Sequence, residues 1–433
     1  MSAEPGLWIT LDPSGHARVV EQRALELKAG IQEIVWDGVS SQIDPATVQV
    51  RSVSQPGSLG LARVELRDDL AGRQALLQRY VGKTVHVIQP DPAGKEWRTL
   101  TGTLLSAEGG KVSALLMPNG DIRLEPAGEV ALPPLPEPAA ISPRLLVGVE
   151  SKTAGPHVVE LAYIAGGLSW SSRYLFTLSP TADRASLSAW VALSNATPVP
   201  FPQARWRLLA EETRRQEALQ PVEERVTFDC RPAGLNRPVS LGAGESLHLP
   251  LASAENVAIE TRNVFDPIGA GPAAPTPPQR LRVVGLVVND AFHGLGFPMP
   301  GGKAWLWRDP PHDPPAGEAF GFQTFSEAVL PTTAIGHAFE LPLGDVAGLE
   351  GERRQTAFRQ VGDRVQEQEI EILLRNKTAR DARAVAIEHP WGLYEVVQKS
   401  HEFEKVSDGS IEFSVSLPAG KKVTVTYRVR IQY

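Results

Sequence analysis

The sequence is short of the residues that usually announce chemistry. It has one cysteine, Cys230, in 433 residues. That excludes an internal disulfide framework and any multi-cysteine zinc or iron–sulfur site. Its nine histidines stand apart. His401-Glu402 is not followed by a second histidine four positions on, so the zincin pattern fails. Among apolar runs, Val283–Val288 is the longest, far short of the ~20 residues that cross a bilayer. The start, Met1 to Gly6, has neither a positive segment nor an apolar core. A soluble, cytoplasmic protein is expected, or a periplasmic or envelope-associated one if a signal has been trimmed. Long helical periodicity is missing too, and with 37 prolines and 38 glycines the chain cannot be mostly helix. Nor is there a surplus of positive charge. The net charge of −7, from 43 basic and 50 acidic residues, argues against a general nucleic-acid coat.

Catalytic signatures are equally scarce. Gly167-Leu168-Ser169-Trp170-Ser171 lacks the closing glycine of a nucleophile elbow. Val81-Gly82-Lys83-Thr84 lacks the earlier glycine of a phosphate loop. The carboxylates Glu211, Glu212, Glu217, Glu223 and Glu224 are interleaved with arginines and read as a solvated strand end or loop. Asp309-Pro310-Pro311-His312-Asp313 reads as a stiff loop. Cys230 beside Arg231 has no assignable base, so a buried or incidental thiol is expected. No catalytic residue, cofactor or metal ligand is assigned.

What the sequence does hold is a period of two. Val423, Val425, Tyr427, Val429 and Ile431 alternate with Thr424, Thr426, Arg428 and Arg430. This is the pattern of a half-buried antiparallel strand. Ile411–Leu417 and Gln368–Leu374 alternate likewise, as do Val159–Tyr163, Leu187–Leu193 and Trp206–Ala210. The clearest helix is expected over Asp68–Val81, capped by Asp68 or Asp69 and ended by Gly82. Short strands over Thr84–Glu125, with Gly109-Gly110 and Asn119-Gly120 turns, suggest a small SH3-like or Sm-like barrel. An internal echo joins Leu193-Ser194-Asn195-Ala196-Thr197 to Leu374-Arg375-Asn376-Lys377-Thr378. Both match the glycosylation sequon, but a turn closed by Asn and Thr side chains explains them.

The fold class expected is mainly β, with tandem antiparallel β-sandwich (immunoglobulin-like) domains, an N-terminal β element, one helix and the small barrel. The partition expected is residues 1–67, the N-terminal β element; 68–130, helix and barrel; 131–143, a proline-rich linker; 144–352, a central sandwich region; and 353–433, a C-terminal sandwich.

An ordered series of motifs runs through the chain. It includes Tyr163–Tyr174, Trp190–Asn195, Ser253–Val257, Asn289–Gly302, Gly351–Thr356, Gly362–Val365 and Val423–Val429. Together these resemble bacterial proteins carrying domain of unknown function 4139, which are related to mucoidy-inhibitor-like proteins. The resemblance implies a β-rich fold of tandem sandwiches. It brings no activity and no catalytic residues to carry over.

Two functions from different classes follow. The first is a non-enzymatic interaction or scaffold protein whose loops meet a protein partner through Trp170, Arg173, Tyr174, His389 and Trp391. The competing reading of Trp170 is core packing. The alternative is a nucleic-acid-binding or metal-dependent nucleic-acid-processing protein that uses the barrel through Lys83, Lys95, Trp97, Arg98 and Lys111. Against it, charge over Arg79–Pro126 balances to only a slight positive excess.

Overall fold

The structure is a computed structural model. It describes residues 6–67, 72–90, 97–134, 143–216, 222–267, 275–308, 323–407 and 409–432, with backbone alone at 212–216, 222–226, 323–325 and 407. Strand accounts for 69% and helix for 2%, so the period-two reading holds along the chain. The chain forms two compact units that interleave in sequence. One comprises Met1–Ser171, Val191–Ala210 and Thr227–Leu249, the other Ser172–Trp190, Glu211–Val226 and Pro250–Tyr433. The partition at 131–143 does not coincide with this division. The strand that follows it, Arg144–Ser151, lies between Gly30–Asp37 and Leu59–Arg67 and pairs with both. Residues 135–142 of that proline-rich stretch lie outside the described residues.

In the first unit, Ala17–Leu27 pairs antiparallel with Leu7–Leu11 on one side and with Gly155–Ala165 on the other. Leu7–Leu11 runs parallel to Phe201–Gln216, with Trp8 opposite Arg205. The inward positions Ile9, Val19, Val159 and Leu161 are all fully buried. Five short strands, Thr84–Pro90, Trp97–Glu108, Lys111–Leu116, Ile122–Leu124 and Glu129–Ala131, make a separate sheet in this unit. Val85, Val87, Leu104 and Leu115 form its core with Leu77. The helix is shorter than expected, Arg73–Gln78, and starts at Gly72 without a side-chain cap. Asp68, Asp69 and Leu70 lie outside the described residues. Val81 is exposed, not part of the helix face. Gly82, at φ 79°, donates its N–H to Leu104 O, and this diverts the chain into the small sheet.

In the second unit a nine-stranded sheet carries the C-terminal core. It recruits Glu260–Phe265, Thr276–Val288 and Ala338–Gly362, all beginning before Arg353, where the sequence pattern placed the start of the last domain. The strand Lys422–Gln432 lies between Val365–Asn376 and Leu393–Lys399. Phe413 and Tyr427 stack 5.4 Å apart across the core. A Cβ at Gly351 would stand 2.3 Å from the Phe265 ring, so glycine is what lets this strand pack there. Outward positions are charged and paired, as in Arg430–Glu367 and Arg354–Glu371. Such exposed pairs are worth ~0.2–1 kcal/mol each and mark a solvated face.

The internal echo is a repeated knot, one in each unit. Asn195 Nδ2 donates to Val199 O and Gly242 O, while its Oδ1 accepts from Thr197 N and Oγ1. Asn376 Nδ2 donates to Arg380 O and Leu417 O, and its Oδ1 accepts from Thr378 N and Oγ1. Gly167, at φ 78°, and Gly348, at φ 86°, bind the residue after each asparagine through their carbonyls. Both asparagines are buried, so the folded protein is not a glycosylation substrate at either. Asn376→Ala removes the shared partner of two carbonyls and an N–H. Leu417 O is left buried and unsatisfied at ~1–3 kcal/mol, and the two part-buried groups, which water can reach, add less, so roughly 2–4 kcal/mol of stability should be lost. Urea unfolding checks this, and a loss within error of zero would mean that the turn forms without the side chain.

Candidate functional site

The sequence-derived contact residues lie on two different sheets. On the strand Leu168–Leu178, alternation sends Ser172, Tyr174 and Phe176 inward. Tyr174 is fully buried and its hydroxyl donates to Pro300 O at 2.6 Å, so it is a core residue and cannot meet a partner. Trp170 is half-buried. Arg173 points the other way and lies over the Trp305 ring at 5.7 Å.

His389 and Trp391 are exposed and flank the buried Pro390. They belong to a different sheet, at the end of Ala382–Glu388. His389 Nε2 meets Asp266 Oδ1 at 3.0 Å, and Arg282 donates to the other oxygen of Asp266. One residue earlier, the buried Glu388 accepts from Arg353 Nε at 2.9 Å and from the Tyr427 hydroxyl at 2.5 Å. Burial pushes the Glu388 carboxyl up from its ordinary range, and the Arg353 guanidinium offsets this only in part. This arrangement ties Ala382–Glu388 to Ala338–Gly362 and Lys422–Gln432.

The barrel residues also separate. On Trp97–Glu108, Trp97 shares a face with Thr99, Thr101 and Thr103, whereas Arg98 follows the register of Leu100 and Leu104 on the opposite face. Lys83 lies over the Tyr80 ring and Lys111 closes a hairpin opposite Glu108. Lys95 lies outside the described residues. Among the described residues no three His, Cys, Asp or Glu side chains converge as a metal would require.

Cys230 is buried and its thiol is pushed up to about 12 by desolvation. The thiolate, the reactive form, is therefore scarce at pH 8. Native protein should resist alkylation there and react fully in denaturant, as a thiol assay with and without urea would show. Rapid native labelling would contradict the burial.

The surface feature that sequence reasoning missed is the loop after Thr276–Val288. Asn289 is fully buried and works as its hub. Its Nδ2 donates to Phe297 O at 2.8 Å and to Thr333 O and Ala334 O at 3.1 Å, and its Oδ1 accepts from Gly296 N. Its backbone N–H and C=O pair with His337 and Gly336. Gly294 and Gly296 take φ of 91° and 111°, a region that side chains rarely adopt, so the loop path needs both glycines. Asp290 Oδ1 accepts from the backbone N–H of His293 and meets its Nδ1 at 2.7 Å, and these bonds hold the Asp290 carboxyl below its ordinary range. Against this fixed frame Phe292 is 92% exposed, its ring edge-on to His293 at 5.1 Å. Ile335, in the segment tied to Asn289, is 54% exposed. The available signal was Asn289-Asp290 before a Gly-x-Gly. Alternation says nothing about which loop residue faces outward.

A scan against protein-family models and a search of the curated proteins each found no match to this chain. No helix of the described residues is long and apolar enough to cross a membrane.

Proposed function

We propose that this chain is a non-enzymatic, β-rich interaction protein, and that the loop Asn289–Gly302 is its principal contact with a protein partner. The observation that carries this reading is Phe292, an exposed aromatic side chain on a hydrogen-bonded loop. Binding energy concentrates in aromatic anchors, and a loop already held in place loses little entropy when it docks. Acidic Asp290 and exposed Glu255 lie on this loop and on the neighbouring strand, so the partner should offer an aromatic-sized socket with a basic rim. The resemblance to proteins with domain of unknown function 4139 supports the same reading, since it implies tandem sandwiches without an assigned chemistry. The immunoglobulin-like character of the C-terminal region and the SH3-like or Sm-like character of the small barrel are part of this proposal. Nucleic-acid binding through Lys83, Lys95, Trp97, Arg98 and Lys111 is the weaker reading, because Trp97 and Arg98 alternate to opposite faces of their strand.

Phe292→Asp tests the proposal. The side chain is exposed, so the melting temperature should stay unchanged. Partners that co-purify with the full chain from its native cell should fall at least about tenfold, the effect of losing a hot-spot residue. Undiminished co-purification would count against the loop.

A further inference from the structure

The first unit carries a site of a different kind. On Ala17–Leu27 the inward positions run Val19, Glu21, Arg23 and Leu25. Glu21 stands opposite Leu161 and Arg23 opposite Val159, both fully buried, so two charged residues occupy positions where the pattern calls for apolar ones. Both keep some contact with solvent, at 21% and 30% side-chain exposure, and local violations of this sort gather at functional sites. The pair is held in place. Arg23 Nε donates to Glu21 Oε1 and Trp36 Nε1 to Glu21 Oε2, both at 2.7 Å, while the Arg23 guanidinium lies 4.3 Å above the Trp36 ring.

Beside this pair opens a cleft of about 510 Å³, within the ~300–1,000 Å³ typical of small-ligand sites. Leu7, Val199, Phe201 and Pro202 supply apolar walls. Tyr163 lines it, is 3% exposed, and makes no hydrogen bond through its hydroxyl among the described residues. At the rim, Gln203 takes φ 48°, and the register with Val239–Leu241 shifts between Phe201 and Ala204. Bulges of this type re-aim side chains and are common beside binding sites.

We propose that this cleft binds a neutral ligand with an apolar body and an amide head. Glu21 and Arg23 cancel each other's charge within the cleft, and the remaining Asp37 carboxylate, exposed at its wall, disfavours an anion and is screened by solvent as a site for a cation. The unused donors are the Tyr163 hydroxyl and Arg23 Nη1, which call for a carbonyl oxygen. The spare lone pairs of Glu21 and the Asp37 carboxylate at the cleft wall call for an N–H. An amide offers both, and the apolar walls accept a side chain of leucine size. A free carboxamide and a peptide segment share this chemistry.

Saturation-transfer NMR on the full chain tests the assignment with three probes of similar body: 4-methylpentanamide, 4-methylpentanoate and isoamylammonium. The amide should bind at least about tenfold more tightly than either ion. Tyr163→Phe should weaken the amide about fivefold, the effect of one hydrogen bond, with the melting temperature unchanged. Arg23→Gln is the second variant and should weaken it further. Acetyl-Ala-Leu-Ala-amide binding more tightly than the simple amide would identify a peptide as the source, and equal binding a free carboxamide. Phe292→Asp should leave amide binding intact, so this site and the loop fail or stand separately. No transfer to any probe, or equal binding of the three heads in the unaltered protein, would overturn the proposal. So would a folded Tyr163→Phe variant that binds the amide as the parent does.

Discussion

Glu388→Leu should cost the second unit about 3–5 kcal/mol, the usual penalty for removing one partner of a buried ion pair. Arg353 is buried and cannot shed its proton, so the variant leaves a permanent cation without its carboxylate. Adding Arg353→Met should recover most of the loss, because two apolar side chains replace two charges. The Tyr427 hydroxyl would still lack its acceptor, so recovery stays incomplete until Tyr427→Phe is added. Arg353→Met alone behaves differently. It leaves a carboxyl whose pKa burial raises above its unfolded value. The folded state then holds the proton more tightly than the unfolded one. The stability that proton provides is full below the unfolded pKa and is lost as pH rises through the folded one. The Arg353→Met deficit should therefore grow as pH rises above the ordinary carboxyl range, as followed by urea unfolding at each pH. The Glu388→Leu deficit should not. Equal, pH-independent losses for the two single variants would show that the pair is not buried as described.

Deleting residues 423–433 should abolish cooperative unfolding of the second unit. The strand Lys422–Gln432 is paired on both edges, with Val365–Asn376 and Leu393–Lys399. Val425, Tyr427, Val429 and Ile431 are all buried. At ~1.5–3 kcal/mol each, their loss amounts to roughly 6–12 kcal/mol, comparable with the ~5–15 kcal/mol net stability of a domain. Tyr427 also takes with it a hydrogen bond to Glu388. Binding through the Phe292 loop of the same unit should disappear with the fold, unlike the selective loss in Phe292→Asp. Calorimetry of the truncated chain checks this, and an unchanged melting profile would remove the strand from the sheet interior.

Much of this fold is legible in the sequence because alternation is a local signal. Val423–Ile431 reads as a strand with one wet face, and the structure buries alternate residues of it. The Asn195 and Asn376 turns are legible for the same reason, since each Asn reaches a Thr two residues away. Pairing at long range is not legible. Nothing local says that Arg144–Ser151 joins Gly30–Asp37, or that Leu7–Leu11 runs parallel to Phe201–Gln216. Local alternation therefore suggests contiguous segments, while the two compact units interleave in sequence. The candidate sites fare worse. Tyr174 reads from composition as a loop contact residue, yet its parity on the strand turns it inward. Phe292 drew no notice because exposure within a loop depends on the Asn289 bonds to residues about forty positions away. Glu21 and Arg23 were visible as a break in alternation, but their cleft is assembled with Tyr163 and Phe201 from distant segments.

The most direct measurement places a photo-crosslinking phenylalanine analogue at position 292 of the full chain, in its native cell, with the same analogue at Arg354 on the ion-paired sheet face as control. The loop account predicts one dominant protein adduct from position 292, absent from position 354. Adducts of equal yield and spread at both positions, or none at 292, would contradict it.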